Sequence, residues 1–207
     1  MRGEGHRERV RILTTMNSHK INWKLYFKNP ESAKPEAFFK VFNTWIPNSP
    51  EVFVDVADYA HINDGPKILL YGHYVDYALD EMDRRLGFLY SKKRDVAGEE
   101  NLAPLNERLK TTLSEFLKSC QRLTSDQGLA GLQFKTNELL FIINDRALAP
   151  NTVETFNQVK PALTQILDKI YGAGGFELKH ISEPKKRFAV QIIAKKEPSL
   201  SEIISKV

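Results

Sequence analysis

Residues 20–28 alternate strictly between polar and apolar side chains. The apolar positions of this stretch are Ile21, Trp23, Leu25 and Phe27. Because neighbouring side chains of a β-strand point to opposite faces of the sheet, this alternation predicts a strand with one buried face. The chain is therefore expected to be built around a sheet that has one face in a hydrophobic core.

Other segments also have the composition of strands. Residues 52–56 and 139–143 are short, nearly continuous apolar runs, which indicates strands covered on both sides. Residues 74–81 and 86–94 are interpreted as a hairpin, with a helix over residues 74–86 as the alternative. The remaining predicted strands cover residues 67–71, 132–135, 176–180 and 188–194.

Three segments repeat apolar residues at intervals of three and four, the period of a helix that buries one face. They cover residues 35–45, about 102–123 and 151–170. Pro35 suits the first turn of the first helix. Asn101 is the expected cap of the second helix, and Asn151 with Glu154 resembles a capping box for the third.

The predicted order of elements is β-α-β-β-β-β-α-β-β-α-β-β, in which strands and helices do not alternate regularly. This order indicates an α+β fold, with a mostly antiparallel sheet and about three helices packed on it. Residues 16–195 are assigned to a single domain. Residues 1–15 are predicted to be a disordered extension, and residues 196–207 a frayed tail.

The single cysteine, Cys120, excludes an intramolecular disulfide and a zinc site built from several cysteines. It lies on the apolar stripe of the second predicted helix, where a buried structural thiol is expected. The chain has no apolar run of about 18 residues or more, and its N-terminus lacks the apolar region of a secretory signal. We therefore expect a soluble cytoplasmic protein that does not act at a membrane.

Two basic triplets, residues 92–94 and 185–187, each stand beside an aromatic residue. Such a layout could contact phosphates while the aromatic ring stacks on a base, so nucleic-acid binding is one alternative function. The net charge of +4 argues against it, because the first 15 residues contribute +2 of that charge. Solvated charge at the ends of hairpins explains both triplets equally well.

Residues 55–83 are rich in carboxylates and histidines. Such groups are ligands for Mg, Mn, Zn or Fe, and they would converge at a sheet edge if they lay at the ends of neighbouring strands. The candidate metal ligands are Asp55, His61, His73 and Asp76, and a metal-assisted hydrolase that uses them is the second alternative function. Their spacing matches no established ligand motif, and turn positions or solvent exposure account for them as well.

Asn144, Asp145 and Arg146 directly follow the most apolar predicted strand, a position that often lines a cleft. Their structural explanation is a turn started by the first two residues and an ion pair made by the third. The candidate ligand-binding residues are therefore Asp55, His73, Asp76, Asn144, Asp145 and Arg146.

Three segments carry a resemblance to known sequences: GPKILLYGHYVDYALDE (65–81), LGFLYSKKR (86–94) and NDRALAPNTVETF (144–156). They resemble stretches of an uncharacterised bacterial protein family of about 190 residues that has no assigned function, and the resemblance spans roughly residues 20–193. It implies a bacterial, cytosolic origin. It implies no catalytic residues.

The chain lacks the motifs of serine hydrolases, P-loop nucleotide sites and zinc proteases, and it indicates no cofactor. We therefore expect a non-catalytic binding or interaction domain for a protein partner or a small ligand, while an enzymatic role stays open. Tyr71, Tyr74, Tyr77 and Tyr90 would form a contact patch if they were exposed on one face. A homodimer is compatible with exposed sheet edges.

Overall fold

The fold is described from a computed structural model, in which residues 20–93, 103–183 and 185–207 are described. The predicted extension over residues 1–15 and the predicted cap Asn101 lie outside these ranges. None of the helices within them has the length and apolar character needed to span a membrane.

The described residues form one sheet of eight strands, in which all neighbouring strands are antiparallel. The spatial order is β2-β3-β4-β5-β1-β6-β8-β7, so the alternating segment that comes first in the chain lies near the centre. The strands are β1 (Ile21–Phe27), β2 (Phe53–Asp58), β3 (Pro66–Gly72), β4 (Val75–Asp80), β5 (Gly87–Lys92), β6 (Phe134–Ile143), β7 (Phe176–His180) and β8 (Phe188–Ala194).

Four α-helices accompany the sheet in the described ranges, together with short 3-10 turns at Pro30–Ser32, Met82–Arg84 and Gln127–Leu129. Each of the first three helices buries the apolar stripe that its sequence period predicts. The helices are α1 (Pro35–Asn48), α2 (Leu105–Thr124), α3 (Val153–Tyr171) and α4 (Leu200–Lys206).

The α+β class and the antiparallel sheet are confirmed, as is the hairpin of β4 and β5. The prediction of two strands over residues 132–143 is wrong, because β6 runs without interruption from Phe134 to Ile143. Two of the polar residues that suggested a turn, Thr136 and Glu138, have partners within the fold. The Thr136 hydroxyl donates to the Pro198 carbonyl, and the Glu138 carboxylate accepts hydrogen bonds from neighbouring side chains.

The predicted capping box at Asn151 is also wrong. Thr152 is the N-cap of α3, and its hydroxyl accepts a hydrogen bond from the Thr155 backbone N–H at 3.3 Å. The Asn151 side chain instead donates to the carbonyls of Ile181 and Glu183. This amide therefore ties the segment between β7 and β8 to the start of α3.

The C-terminal residues do not form the frayed tail that the sequence predicts. Ser199 and Glu202 make a reciprocal capping box that begins α4. Ile203 is only 3% exposed and packs into the main core, and the Lys206 ammonium donates to the Ile170 carbonyl at 3.0 Å. This short helix is stable because it docks, since its length alone would not sustain it.

The sheet has two faces of different character. The helix face carries Ile21, Trp23, Leu25 and Phe27, and it packs against α1, α2 and α3 in the main core. The second face carries the intervening residues of β1 and a small apolar cluster, together with charged side chains that are almost fully buried. The members of the apolar cluster are Tyr26, Leu140, Ile142 and Ala189, with Ile181 packed beside them.

Two turns from opposite ends of the sheet meet over the second face. β5 begins opposite Tyr26, whereas β8 begins opposite Ile143, which pairs with Ile21. In a flat sheet the two starts would lie about 17 Å apart along β1 and about 14 Å apart across it. The two turns are nevertheless in contact, because Lys186 donates to the Asp83 carboxylate and Arg187 donates to the Met82 sulfur.

Candidate functional site

The four predicted metal ligands do not form a metal site. Asp55 lies on the edge strand β2, is exposed, and accepts a hydrogen bond from the neighbouring Val56 N–H. His61 and His73 are exposed in two different turns. In the described ranges, no three His, Cys, Asp or Glu side chains come together as a group that could hold a metal ion.

Asp76 has a structural role in the turn between β3 and β4. Its carboxylate accepts the Gly72 N–H at 3.0 Å and pairs with the Lys93 ammonium at 2.8 Å. Lys93 also donates to the Gly72 carbonyl, so the three residues close the turn. A side chain at position 72 would place its Cβ 2.3 Å from the Val75 carbonyl oxygen, which explains the glycine.

The segment after β6 is a turn with ordinary turn contacts. Asn144 and Arg146 are exposed, and the Asp145 carboxylate accepts the Leu148 N–H at 3.2 Å. The Asn144 N–H donates to the Lys20 carbonyl and extends the pairing of β6 with β1. These contacts agree with the turn that the structural explanation proposed, but Arg146 has no ion pair among the described residues. The role of the segment in binding a ligand stays a prediction.

The predicted tyrosine patch does not form. Tyr77 and Tyr90 lie in the main core, with 7% and 0% exposure, while Tyr74 is exposed and Tyr71 is half-buried. The pairing of β4 with β5 sets Tyr77 directly opposite Tyr90, so both rings lie on the same face of the sheet. That face is the one that packs in the main core.

The first basic triplet is tied to carboxylates. Lys92 lies 3.9 Å from the Glu115 carboxylate, and Lys93 is paired with Asp76. Arg94 lies outside the described residues. The second triplet has a different setting, because all three of its residues line a cavity.

This cavity of about 360 Å³ lies over the second face, where the two turns meet. Its apolar lining consists of Met82, Leu140, Ile142, Ile181 and Ala189. Its charged lining consists of Asp64, Asp83, Lys185, Lys186 and Arg187. An apolar floor with a few polar groups is the usual character of a small-molecule site, and this volume lies within the usual range.

One wall of the cavity is a turn with unusual backbone angles. Asp83 and Arg84 have φ values of 59° and 56°, and Asp64, which is hydrogen-bonded to Asp83, has a φ value of 62°. Aspartate visits this left-handed region more readily than most residues, but arginine does so at a cost. The turn is held by side chains, because Asp64 accepts the Asp83 N–H at 2.6 Å and Asp80 accepts the Met82 N–H at 3.2 Å.

The opposite wall is the segment that leads into β8. Asn151 holds it through the Ile181 and Glu183 carbonyls, and the Asn151 oxygen faces His180 Nε2 at 2.7 Å. The His180 ring stacks on Phe156 at 5.4 Å, and burial lowers the pKa of His180. This wall is therefore fixed to α3 before the basic triplet begins.

The cations of this wall differ in their partners. Lys186 pairs with Asp83 at 2.8 Å and with Glu183 at 3.1 Å, and the hydrogen bond from Lys186 to Asp83 raises the pKa of the lysine. Arg187 is half-buried and donates to the Met82 sulfur at 3.2 Å. A thioether is a weak acceptor for a guanidinium that has five N–H donors. Within the described part of the chain, Arg187 has no carboxylate partner.

A buried ion pair lies under the turn at residues 82–84. Lys24 and Asp80 are each 1% exposed, and the ammonium lies 2.5 Å from the carboxylate. Burial lowers the pKa of Lys24, and the attraction of Asp80 does not fully compensate for it. Asp80 thus holds both the lysine and, through the Met82 N–H, the turn beside the cavity.

Glu138 is the centre of a second charged cluster on this face. Its two oxygens accept a bidentate pair of hydrogen bonds from Arg85, at 2.6 and 2.8 Å, and further bonds from Lys135 and Gln191. The Arg85 guanidinium also stacks 3.7 Å above the Tyr26 ring. The hydrogen bonds from Arg85 are the main reason why the pKa of Glu138 falls to about 2.

Glu138 is expected to make stability depend on pH between about 4.5 and 2. Because its pKa is lower in the folded state, its contribution is complete above pH 4.5 and is lost as the pH falls toward 2. At pH 7, Glu138→Gln should lower the free energy of unfolding by about 1.5 kcal/mol, the low end for a hydrogen bond to a charged group. Urea unfolding of both proteins from pH 7 to pH 2.5 measures this difference. A difference that stays constant with pH would contradict the assignment.

Sequence reasoning missed the cavity, although part of its lining carries a signal. It noted the basic residues 185–187, and it considered the carboxylates of residues 55–83 as metal ligands or as turn and solvent-exposed residues. Nothing in the spacing of residues 64, 83 and 187 shows that they meet. Comparison of the chain with protein-family models finds no match, and comparison with curated proteins finds none either.

Proposed function

We propose that this chain is a non-catalytic binding domain whose cavity, over the second face of the sheet, takes a small organic anion with an apolar body. The observation that carries the proposal is Arg187. Arg187 is half-buried at a cavity with an apolar floor, and the acceptor of its guanidinium in the described ranges is a thioether. A carboxylate, sulfonate or phosphate would satisfy several of its N–H donors at once.

The remaining lining supports a ligand of this kind. Leu140, Ile142 and Ala189 lie on rigid strands and provide a floor for an aromatic or aliphatic group. Lys185 is exposed at the rim and has no ion-pair partner among the described residues, so it adds favourable charge. Recognition of an anion needs no nucleophile or metal ion.

The proposal includes the origin and the location of the protein. The resemblance of residues 65–81, 86–94 and 144–156 to bacterial sequences supports a bacterial, cytoplasmic protein. A protein partner and a homodimer remain alternatives that no contact among the described residues favours. The metal-assisted hydrolase has lost its main support, because its four residues do not converge.

Removal of Arg187 is expected to weaken ligand binding by roughly tenfold to a hundredfold, the range for loss of hydrogen bonds to a charged group. The probe is 1-naphthalenesulfonate, which joins a flat apolar body to one anionic group, and isothermal titration calorimetry measures its Kd. Wild type should bind one equivalent, and Arg187→Ala should bind far more weakly. 1-Naphthylmethanol, the neutral analogue, should bind weakly to both.

Lys118→Ala is the matched control, since it removes one positive charge from an exposed position on α2. It should leave the Kd unchanged. Equal binding by wild type and Arg187→Ala would overturn the proposed site. Tight, salt-dependent binding of an oligonucleotide without binding of the naphthalene probe would instead favour the nucleic-acid alternative.

A further inference from the structure

The charged residues that line the cavity differ in the interactions that they make. Three cations and two carboxylates line it, which leaves a net charge of +1. Asp64 accepts the Asp83 N–H and thereby serves the turn. The Asp83 carboxylate instead accepts a hydrogen bond from the Lys186 ammonium, across the mouth of the cavity.

The position of Asp83 is held firmly by its backbone. Its φ value of 59° places it in the left-handed region, and Arg84 follows at 56°. The hydrogen bond from its N–H to Asp64 holds this conformation. The carboxylate is therefore presented to the cavity by a turn that would be costly to rearrange.

We propose that Asp83 sets the charge selectivity of the cavity, so that singly charged anions are accepted and doubly charged anions are disfavoured. The inference rests on the proposed function. A first negative charge pairs with Arg187. A second negative charge would lie near the Asp83 carboxylate and be repelled by it. It could not pair with Lys186 either, because Lys186 is already paired with Asp83.

Asp83→Asn separates this role from the shaping of the turn. Asparagine has the same shape and also tolerates positive φ, so the turn should be kept while the charge is lost. Glu183→Gln is the matched control. Glu183 is the other carboxylate on Lys186, at 3.1 Å, but it is 63% exposed and does not line the cavity.

The test compares two probes with the same naphthalene body. At about pH 8, 1-naphthalenesulfonate carries one negative charge, whereas 1-naphthyl phosphate carries two, because the second pKa of a phosphate ester is about 6. Calorimetry gives the ratio of the two affinities for each variant. Asp83→Asn should raise the affinity for the phosphate, relative to the sulfonate, roughly fivefold at low salt, as expected for one added charge contact in water.

The outcomes distinguish this inference from the proposed function. A ratio that rises in Asp83→Asn, stays within about twofold in Glu183→Gln and loses its rise at high salt supports it. An unchanged ratio, or an equal rise in both variants, overturns the selectivity role but leaves the cavity as a binding site. If wild type binds neither probe, the proposed function fails and the selectivity role fails with it.

Discussion

Replacing Asp80 by alanine is expected to lower the free energy of unfolding by about 3–5 kcal/mol, the usual cost of leaving one member of a buried ion pair without its partner. Lys24 and Asp80 are each 1% exposed, so the lysine ammonium would remain buried without its carboxylate. The Met82 N–H would lose its acceptor as well. Urea unfolding at pH 7 measures the loss.

The stability of Asp80→Ala should depend on pH through the titration of Lys24. Burial already lowers the pKa of Lys24, and loss of Asp80 lowers it further. The folded variant then binds fewer protons than its unfolded chain, so its stability rises with pH. The deficit at pH 7 should therefore shrink as the pH approaches 10.

A double substitution tests whether the pair itself is favourable. Lys24→Met removes the charge, and Asp80→Asn keeps an acceptor for the Met82 N–H. Since burial outweighs the attraction in setting the pKa of Lys24, the double variant should be nearly as stable as wild type. A loss below about 1 kcal/mol in Asp80→Ala would contradict the buried-charge account, and a double variant as unstable as Asp80→Ala would show that the pair is strongly stabilising.

Replacing Trp23 by alanine should cost about 3–5 kcal/mol, the range for loss of a large aromatic side chain from a core. Trp23 is 0% exposed on the central strand β1, and its ring lies 4.9 Å from that of Phe141. The indole Nε1 donates to the Thr112 hydroxyl at 3.0 Å, which joins the sheet to α2. Calorimetric or urea unfolding should show the loss without a change of fold.

Thr112→Val separates packing from hydrogen bonding at this contact. Valine fills nearly the same space but leaves the indole N–H buried without an acceptor, at a cost of about 1–3 kcal/mol. Trp23→Phe combined with Thr112→Val removes both partners, so the double variant should be more stable than the sum of the single losses predicts. Additive losses would show that the hydrogen bond contributes nothing measurable.

Local sequence patterns predicted most elements of this fold because their signals are short in range. The alternation of residues 20–28 and the stripe of α2 need only neighbouring residues to be recognised. The errors have a common origin. Thr136 and Glu138 of β6 have partners from other parts of the fold, and α4 is stabilised by docking, so in both places tertiary contacts override the local signal.

The candidate site was less predictable than the fold. The carboxylates and histidines of residues 55–83 are dense in the sequence, but within the described ranges no three of them come together as metal ligands. Arg187 stood in a triplet that suggested either contacts with nucleic-acid phosphates or solvated charge. Its significance depends on Met82 and Leu140, which lie more than 40 residues away in the chain.

The sequence by itself determined the α+β class, the antiparallel hairpins and the apolar stripes of α1, α2 and α3, since side-chain periodicity and turn residues act locally. Only the tertiary structure decided which polar residues share a site. The turns at residues 82–84 and 185–187 meet over the same face of the eight-stranded sheet, and a cavity lies between them. Lys186 and Asp83, which join the two turns, are 103 positions apart in the chain, and no local pattern records such a contact.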